Sequence, residues 1–127
     1  MTLLVLVVDD EPDVEVLFRQ QFRRDLRAQR FMMDFANSAS DALARVASTI
    51  EQSLILILSD INMPGMDGLT LLGEIKRRWP ELRVIMVTAY GDDERRRLAG
   101  ERGAADFLAK PVDFEVLKQQ LLQLPDA

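Results

Sequence analysis

The chain has 127 residues, a formal charge of −5, and neither cysteine nor histidine. This length fits one domain, and the acidic balance argues against a nucleic-acid-binding protein, which would turn a basic face toward phosphates. The missing residue types exclude disulfides, thiolate metal sites, histidine-bound zinc and serine–histidine catalysis, so any chemistry must use carboxylates, hydroxyls, lysine or arginine, and any metal should be bound through oxygen.

The first half of the chain alternates between apolar strands and amphipathic helices. Residues 3–8 form a continuous apolar run, which predicts a strand covered on both faces, and the run ends at the acidic residues 9–11. Residues 12–26 repeat apolar side chains at helical spacing after a proline that a first helical turn tolerates. Residues 31–35 predict a second strand. The segment 38–50 predicts a second helix, at whose start Ser38 and Asp41, three residues later, resemble a capping box.

The second half continues this alternation. The predicted elements are a central strand at 54–58, a helix at 67–79 with an aspartate cap, a strand at 83–87, a helix from the acids at 92–94 to Gly103, a strand at 105–108, and a last helix from Phe114 to Leu124 that Pro125 closes. Five βα units in succession predict a parallel sheet with helices on both faces, joined by right-handed crossovers.

Five residues with charged or hydroxyl side chains follow the predicted strands. Asp9 and Asp10 follow strand one, Asp60 follows strand three, Thr88 follows strand four, and Lys110 follows strand five. In open parallel sheets the binding crevice lies beyond the carboxyl ends of the strands. We therefore expect these five side chains to share one site at one edge of the sheet.

The repulsion between three carboxylates in one site must be offset. At ~5 Å each pair of charges repels by roughly 3 kcal/mol for an effective dielectric of about 20. Either one carboxyl is protonated or a divalent cation binds. Mg²⁺ fits best, with Mn²⁺ as a substitute, because it binds oxygen ligands and keeps positions open for phosphate oxygens.

The same residues suit phosphoryl transfer. An aspartate can attack phosphorus and form an acyl phosphate. Such a reaction needs positive charge and hydrogen-bond donors around the phosphoryl oxygens, which the Lys110 ammonium, the Thr88 hydroxyl and nearby backbone amides can supply.

With these residues identified, the chain resembles a response-regulator receiver domain of two-component signalling over essentially its whole length, 1–127. The resemblance rests on Asp9-Asp10, on Asp60-Ile61-Asn62-Met63-Pro64-Gly65-Met66-Asp67-Gly68, on Thr88-Ala89 and on Lys110-Pro111. It implies a single receiver domain, with a doubly wound, flavodoxin-like α/β fold of strand order 2-1-3-4-5 in three αβα layers.

The resemblance also implies roles for the acidic residues. Asp60 would accept a phosphoryl group from the phosphohistidine of a sensor kinase or phosphotransfer protein, or from a small acyl phosphate. Asp10 and the backbone carbonyl of Asn62 would join Asp60 as ligands of Mg²⁺. Asp9 would act mostly through a bound water.

A switch is implied as well. Thr88 would move toward the phosphoryl group, and the aromatic ring of Phe107 would move inward into the vacated space. The altered face would be the helix after strand four, strand five and the last helix, where an output domain, an output protein or a second copy docks. Many members of the family carry tyrosine at the position of Phe107. Phe107 can fill the same space, but it has no hydroxyl group with which to hydrogen-bond a partner.

Other functions compete with this one. A phosphatase with an aspartyl nucleophile, of the haloacid-dehalogenase type, needs acids two apart after strand one, whereas residues 9–11 are contiguous acids. A flavodoxin-like cofactor carrier needs a phosphate loop there, and this loop would repel a phosphate. A degenerate receiver that only docks would lack some of the five site residues. We expect a signalling phosphoprotein that catalyses its own phosphorylation and dephosphorylation, not a conventional turnover enzyme.

The ends of the chain carry few further signals. The first residues lack the basic segment of a signal peptide, and no apolar run approaches the ~20 residues of a membrane-spanning helix. We therefore expect a cytoplasmic protein that does not enter a membrane. The chain ends soon after the last predicted helix, which fits either a receiver that stands alone or the front of a longer regulator.

Overall fold

The structure, a computed structural model, describes residues 2–51, 53–61, 63, 67–88, 93–110 and 112–122. Its elements are β1 (Thr2–Val8), α1 (Pro12–Gln21), α2 (Arg23–Arg27), β2 (Met32–Ala36), α3 (Ala39–Thr49), β3 (Ser53–Asp60), α4 (Gly68–Arg78), β4 (Arg83–Thr88), α5 (Asp93–Glu101), β5 (Asp106–Ala109) and α6 (Phe114–Leu122). None of the helices in these ranges has the length and hydropathy to cross a bilayer.

The five strands form one parallel sheet in the order β2-β1-β3-β4-β5. This confirms the predicted α/β fold and the strand order that the resemblance implied. The apolar strand β3 lies in the centre between β1 and β4, as its composition predicts. Because all strands run in one direction, their carboxyl ends meet at the same edge of the sheet.

Both faces of the sheet are buried, which explains the continuous apolar runs. Successive side chains of a strand point to opposite faces, and in β1 the two sets are Leu4, Leu6 and Val8 on one face and Leu3, Val5 and Val7 on the other. Helices α3, α4 and α5 cover the first face, and α1 and α6 cover the second. The sheet, and with it the carboxyl ends of its strands, is therefore held between two packed cores.

The first helix differs from the prediction of one helix over 12–26. It bends at Phe22, whose φ of −107° and ψ of 17° leave the helical region, so the described residues contain six helices and not five. Phe22 is only 1% exposed and packs edge-on against Phe31 and Phe114. Leu17, predicted on the buried face, is 44% exposed, because only the narrower row of side chains that includes Phe18 and Phe22 reaches the core.

The predicted caps of the later helices are confirmed, one of them in part. The Ser38 hydroxyl accepts a hydrogen bond from the Asp41 amide at 3.2 Å, whereas the Asp41 carboxylate pairs with Arg45 and does not complete a capping box. The Asp67 carboxylate accepts a hydrogen bond from the amide of Thr70 at 2.9 Å.

The ends of the other elements agree closely with the predictions. β2 and β5 each begin one residue later than predicted. Gly103 has a φ of +99° after α5, the left-handed conformation that glycine adopts readily at a helix end. Leu124, predicted on the last helix, and Pro125, predicted to close it, lie outside the described residues.

A buried carboxylate lies in α2, away from the carboxyl edge of the sheet. Asp25 is 1% exposed, and its Oδ1 accepts a hydrogen bond from Arg30 Nη1 at 2.6 Å. Its Oδ2 lies 3.3 Å from the Nζ atom of Lys118 in α6. These ion pairs tie the segment after the bend to the last helix.

We predict that Arg30→Gln destabilises the protein more than Arg77→Gln does. Arg30 balances the buried Asp25 carboxylate, and a hydrogen bond to a charged group contributes about 1.5–3 kcal/mol to stability. Arg77 makes a similar 2.7 Å contact with Glu74, but on the exposed surface of a helix, where such pairs contribute at most ~1 kcal/mol. Free energies of unfolding from urea titrations measure both changes. Equal losses in the two variants would contradict the special role of the buried pair.

Candidate functional site

The carboxyl ends of β1 and β3 bring three acids together. Val8 at the end of β1 pairs with Ser59 of β3, so the residues that follow these positions are neighbours. One carboxylate oxygen from each of Asp9, Asp10 and Asp60 lies within 4.8 Å of the other two. The convergence expected from the sequence is therefore observed for all three acids.

Asp60 is the most deeply buried of these acids, at 4% exposed. Its Oδ2 atom accepts a hydrogen bond from Lys110 Nζ at 3.0 Å. The strand β4 separates β3 from β5, and neighbouring strands lie about 4.8 Å apart, so only a long side chain can span this gap. Lysine at the end of β5 meets that requirement.

Asp9 and Asp10 differ in their surroundings. Asp9 is half-buried, and its Oδ1 accepts a hydrogen bond from the Glu11 amide at 3.0 Å, at the start of α1. The Asp9 amide in turn donates to the Ala36 carbonyl oxygen of β2 at 3.1 Å. Asp10 is exposed. One acid is thus fixed by the backbone, and the other presents its carboxylate to solvent.

The pKa values at the site reflect both burial and the charges of neighbouring groups. Burial, together with the charges of Asp60 and Glu11, raises the pKa of Asp9, although the Glu11 amide and Lys110 act in the opposite direction. Partial burial would lower the pKa of Lys110, but the hydrogen bond and charge of Asp60, with Asp9 and Glu11, outweigh it and raise that pKa. A carboxyl whose pKa rises on folding destabilises the folded state when it ionises. The site therefore favours additional positive charge.

Gly68 brings the start of α4 against the end of β3. Its amide donates a hydrogen bond to the Ile61 carbonyl oxygen at 2.8 Å. A Cβ atom at position 68 would lie 2.1 Å from the Asp60 carbonyl oxygen, so a larger residue would push this backbone away. The sequence indicates only a glycine that breaks regular structure here. Its role in positioning Asp60 depends on the close approach of α4 to the Asp60 backbone, which only the folded structure shows.

The remaining site predictions fall partly outside the described residues. Asn62, Ala89 and Pro111 lie outside them, and of Thr88 the backbone alone is described, paired with Ala109 at the end of β4.

Phe107 lies in β5, one strand beyond Thr88. Its ring is half-buried against the core that α3, α4 and α5 cover. The guanidinium carbon of Arg96, in α5, lies 5.1 Å from the centre of this ring. The ring is therefore held between the core and an exposed cation.

A largely apolar cleft of about 470 Å³ opens beside Asp60 and Lys110. It runs between the start of α1 and the start of α6, and its walls include Leu17, Val112 and Phe114. Exposed apolar surface of this kind commonly marks a binding site. A protein that reaches the Asp60 carboxylate would find apolar contact area next to it.

We predict that Gly68→Ala destabilises the protein by about 1–3 kcal/mol, because the added methyl group presses on backbone at the end of β3. Gly73 in the same helix is the matched control, since a Cβ atom there would meet nothing within 4 Å. Gly73→Ala should stabilise the protein by about 0.5–1 kcal/mol through its higher helix propensity. Urea titrations measure both effects, and a Gly68→Ala protein as stable as the wild type would refute the close approach.

Comparisons with known proteins agree with this architecture. The family model of the response regulator receiver domain matches residues 5–122. The response regulator protein FleR of Pseudomonas aeruginosa is 44% identical over 98 residues, which cover 73% of this chain and 20% of FleR. The DNA-binding transcriptional regulator NtrC of Salmonella typhimurium is 38% identical over 112 residues, which cover 88% of this chain and 22% of NtrC. The chain thus spans about a fifth of the length of these curated relatives.

Solved structures show the same fold. A response regulator receiver domain protein from Clostridium thermocellum superimposes with a TM-score of 0.83 at 26% identity, covering 96% of this chain and 92% of that one. The match to the family model extends over nearly the whole chain, and the two relatives are 44% and 38% identical to it over the aligned residues. This chain belongs to the response-regulator receiver domain family of two-component signal transduction.

Proposed function

We propose that the chain is a phosphorylation-controlled switch in which Asp60 accepts the phosphoryl group. The observation that carries this proposal is the buried Asp60 carboxylate, which lies 3.0 Å from the Lys110 ammonium and within 4.8 Å of two further acids. A surface acid that only caps a helix would need neither the lysine nor the burial. As a receiver domain, the chain acts in phosphorylation-dependent signalling, and this proposal assigns the reaction to particular atoms.

In the proposed reaction, a carboxylate oxygen of Asp60 attacks the phosphorus atom of the donor. The bond from phosphorus to the donor's imidazole nitrogen, or to the acyl oxygen of a small donor, breaks as the acyl phosphate forms. The Lys110 ammonium, which already contacts this carboxylate, would balance negative charge on a phosphoryl oxygen. The Thr88 hydroxyl would donate to another phosphoryl oxygen.

The acidic cluster fits a bound Mg²⁺, or Mn²⁺ in its place. Carboxylate oxygens are the ligands that these hard cations prefer, and three such atoms lie within 4.8 Å of one another. Asp10, Asp60 and the backbone carbonyl of Asn62 would hold the ion, and Asp9 would act through a bound water. The ion would supply positive charge to the carboxylates and to the phosphoryl oxygens.

The donor would be a sensor histidine kinase, a phosphotransfer protein or a small acyl phosphate. The apolar cleft beside Asp60 supports a protein donor, because the exposed Leu17 and the neighbouring Phe114 offer contact area at the reactive carboxylate. A small acyl phosphate would not need this surface. The reaction would take place in the cytoplasm.

The output of the switch would be the α5–β5–α6 face, formed by residues 93–101, 106–109 and 114–122. We propose that residues 1–127 form one receiver domain and that phosphorylation changes how this face binds an output domain, an output protein or a second copy. The relative NtrC is a DNA-binding transcriptional regulator of which this chain matches about a fifth. A degenerate receiver that only docks is disfavoured by the Asp60–Lys110 contact.

We predict that Asp60→Asn reduces phosphorylation by acetyl phosphate in Mg²⁺ to background, because the amide cannot act as the nucleophile. Intact-protein mass spectrometry measures the phosphorylated fraction. Asp13→Asn is the matched control, since Asp13 is an exposed acid in the first turn of α1 and lies outside the acidic cluster. Phosphorylation of Asp60→Asn at the wild-type rate would remove Asp60 from this role, as would an equal loss in Asp13→Asn.

We also predict that Mg²⁺ stabilises the wild-type protein, by about 2.7 kcal/mol when its concentration is a hundred times the dissociation constant. Asp10→Asn should lose most of this gain, because it removes a charged ligand. Lys110→Ala should retain it, because the lysine neutralises a carboxylate and does not bind the cation. Thermal unfolding with and without Mg²⁺ measures the three gains. A full gain in Asp10→Asn, or none in the wild type, would contradict the proposed ligands.

A further inference from the structure

The ring of Phe107 packs against α5. A Cβ atom at Gly100 would lie 3.7 Å from the tip of this ring, so the ring packs directly over the glycine. The guanidinium carbon of Arg96 lies 5.1 Å from the ring centre. Because residues four apart lie on the same side of a helix, Gly100 and Arg96 contact the ring from one face of α5.

The three consecutive arginines of α5 differ in their contacts. Arg97 donates to the carboxylates of Glu94 and Glu101 within the helix. Among the residues that the structure describes, Arg96 makes no ion pair, and its guanidinium group lies over Phe107. A guanidinium within ~6 Å of an aromatic face is attracted to the ring. Arg96 therefore contacts the Phe107 ring, whereas Arg97 pairs with acids of its own helix.

The backbone of Phe107 is held separately from its ring. The Asp106 Oδ1 atom accepts a hydrogen bond from the Phe107 amide at 2.8 Å. The Oδ2 atom of the same carboxylate accepts one from Gln120 Nε2, in α6, at 2.9 Å. The Asp106 carboxylate thus links the backbone of β5 to α6, whereas the Phe107 ring contacts α5.

We propose that Arg96 is a positioning residue that holds the Phe107 ring against α5 and so opposes phosphorylation of Asp60. This inference rests on the proposed function, in which the ring moves inward when Asp60 is phosphorylated. A contact made in only one of two states shifts the equilibrium toward that state, and the coupling between two sites is reciprocal. Loss of the Arg96 contact therefore favours the phosphorylated conformation.

The test compares Arg96→Gln with Arg97→Gln, which removes a neighbouring charge but leaves the ring contact. Beryllofluoride with Mg²⁺ serves as the probe of the phosphorylated state, titrated by amide NMR. Arg96→Gln should bind it about two- to fivefold more tightly than the wild type, the range expected for an exposed cation–π contact. The aromatic NMR signals of Phe107 should also shift in the ligand-free variant, toward their position in the beryllofluoride complex. Arg97→Gln should change neither quantity.

A double-mutant cycle shows whether the effect passes through the ring. In a Phe107→Leu background, Arg96→Gln should no longer change beryllofluoride affinity. A persistent change there would overturn the inference, as would an unchanged affinity and unchanged Phe107 signals in Arg96→Gln while the wild type responds to beryllofluoride. A wild-type protein with no beryllofluoride response would overturn the proposed function, and this inference with it.

Discussion

The burial of Asp60 among other carboxylates is the constraint around which this molecule is organised. A carboxylate removed from water is unfavourable without a partner, and nearby negative charges make it more so. Lys110 supplies one positive charge at 3.0 Å, yet burial, with the neighbouring charge of Asp60 adding to it, still raises the pKa of Asp9. The site is therefore suited to receive a cation and to direct a nucleophilic oxygen at an electron-poor atom such as phosphorus.

The fold maintains this arrangement through a rigid central part. β3 lies between two parallel neighbours, and both of its faces are packed, so the Asp60 backbone has little freedom. Gly68 strengthens this restriction by allowing α4 to press on the same backbone. Lys110 then reaches the carboxylate from β5, past the end of β4. The functional side chains come from the ends of β1, β3 and β5, and the sheet sets their relative positions.

The edge of the sheet at β5 is built differently. This strand has four residues, and only Leu108 among them is buried. Besides the packing of Leu108 with α6, its contacts with the flanking helices include the Phe107 ring against Arg96 and Gly100 of α5, and the hydrogen bond from Gln120 of α6 to Asp106. Contacts of this kind are individually weak, so small changes in free energy at the site are enough to alter them. A rigid centre beside an adaptable edge is the arrangement that a switch needs.

Local patterns in the sequence were sufficient for the strands, for most helix ends and for the acids that follow the strands, because hydropathy period and caps depend on neighbouring residues. They were not sufficient for the bend at Phe22, the buried ion pairs of Asp25 or the covering of Phe107 by Arg96. Lys110 and Asp60, fifty positions apart, became one ion pair only when the sheet brought β3 and β5 to the same edge. Their positions after strands three and five predicted a shared site, but the ion pair itself, like the other contacts, depends on packing between distant segments.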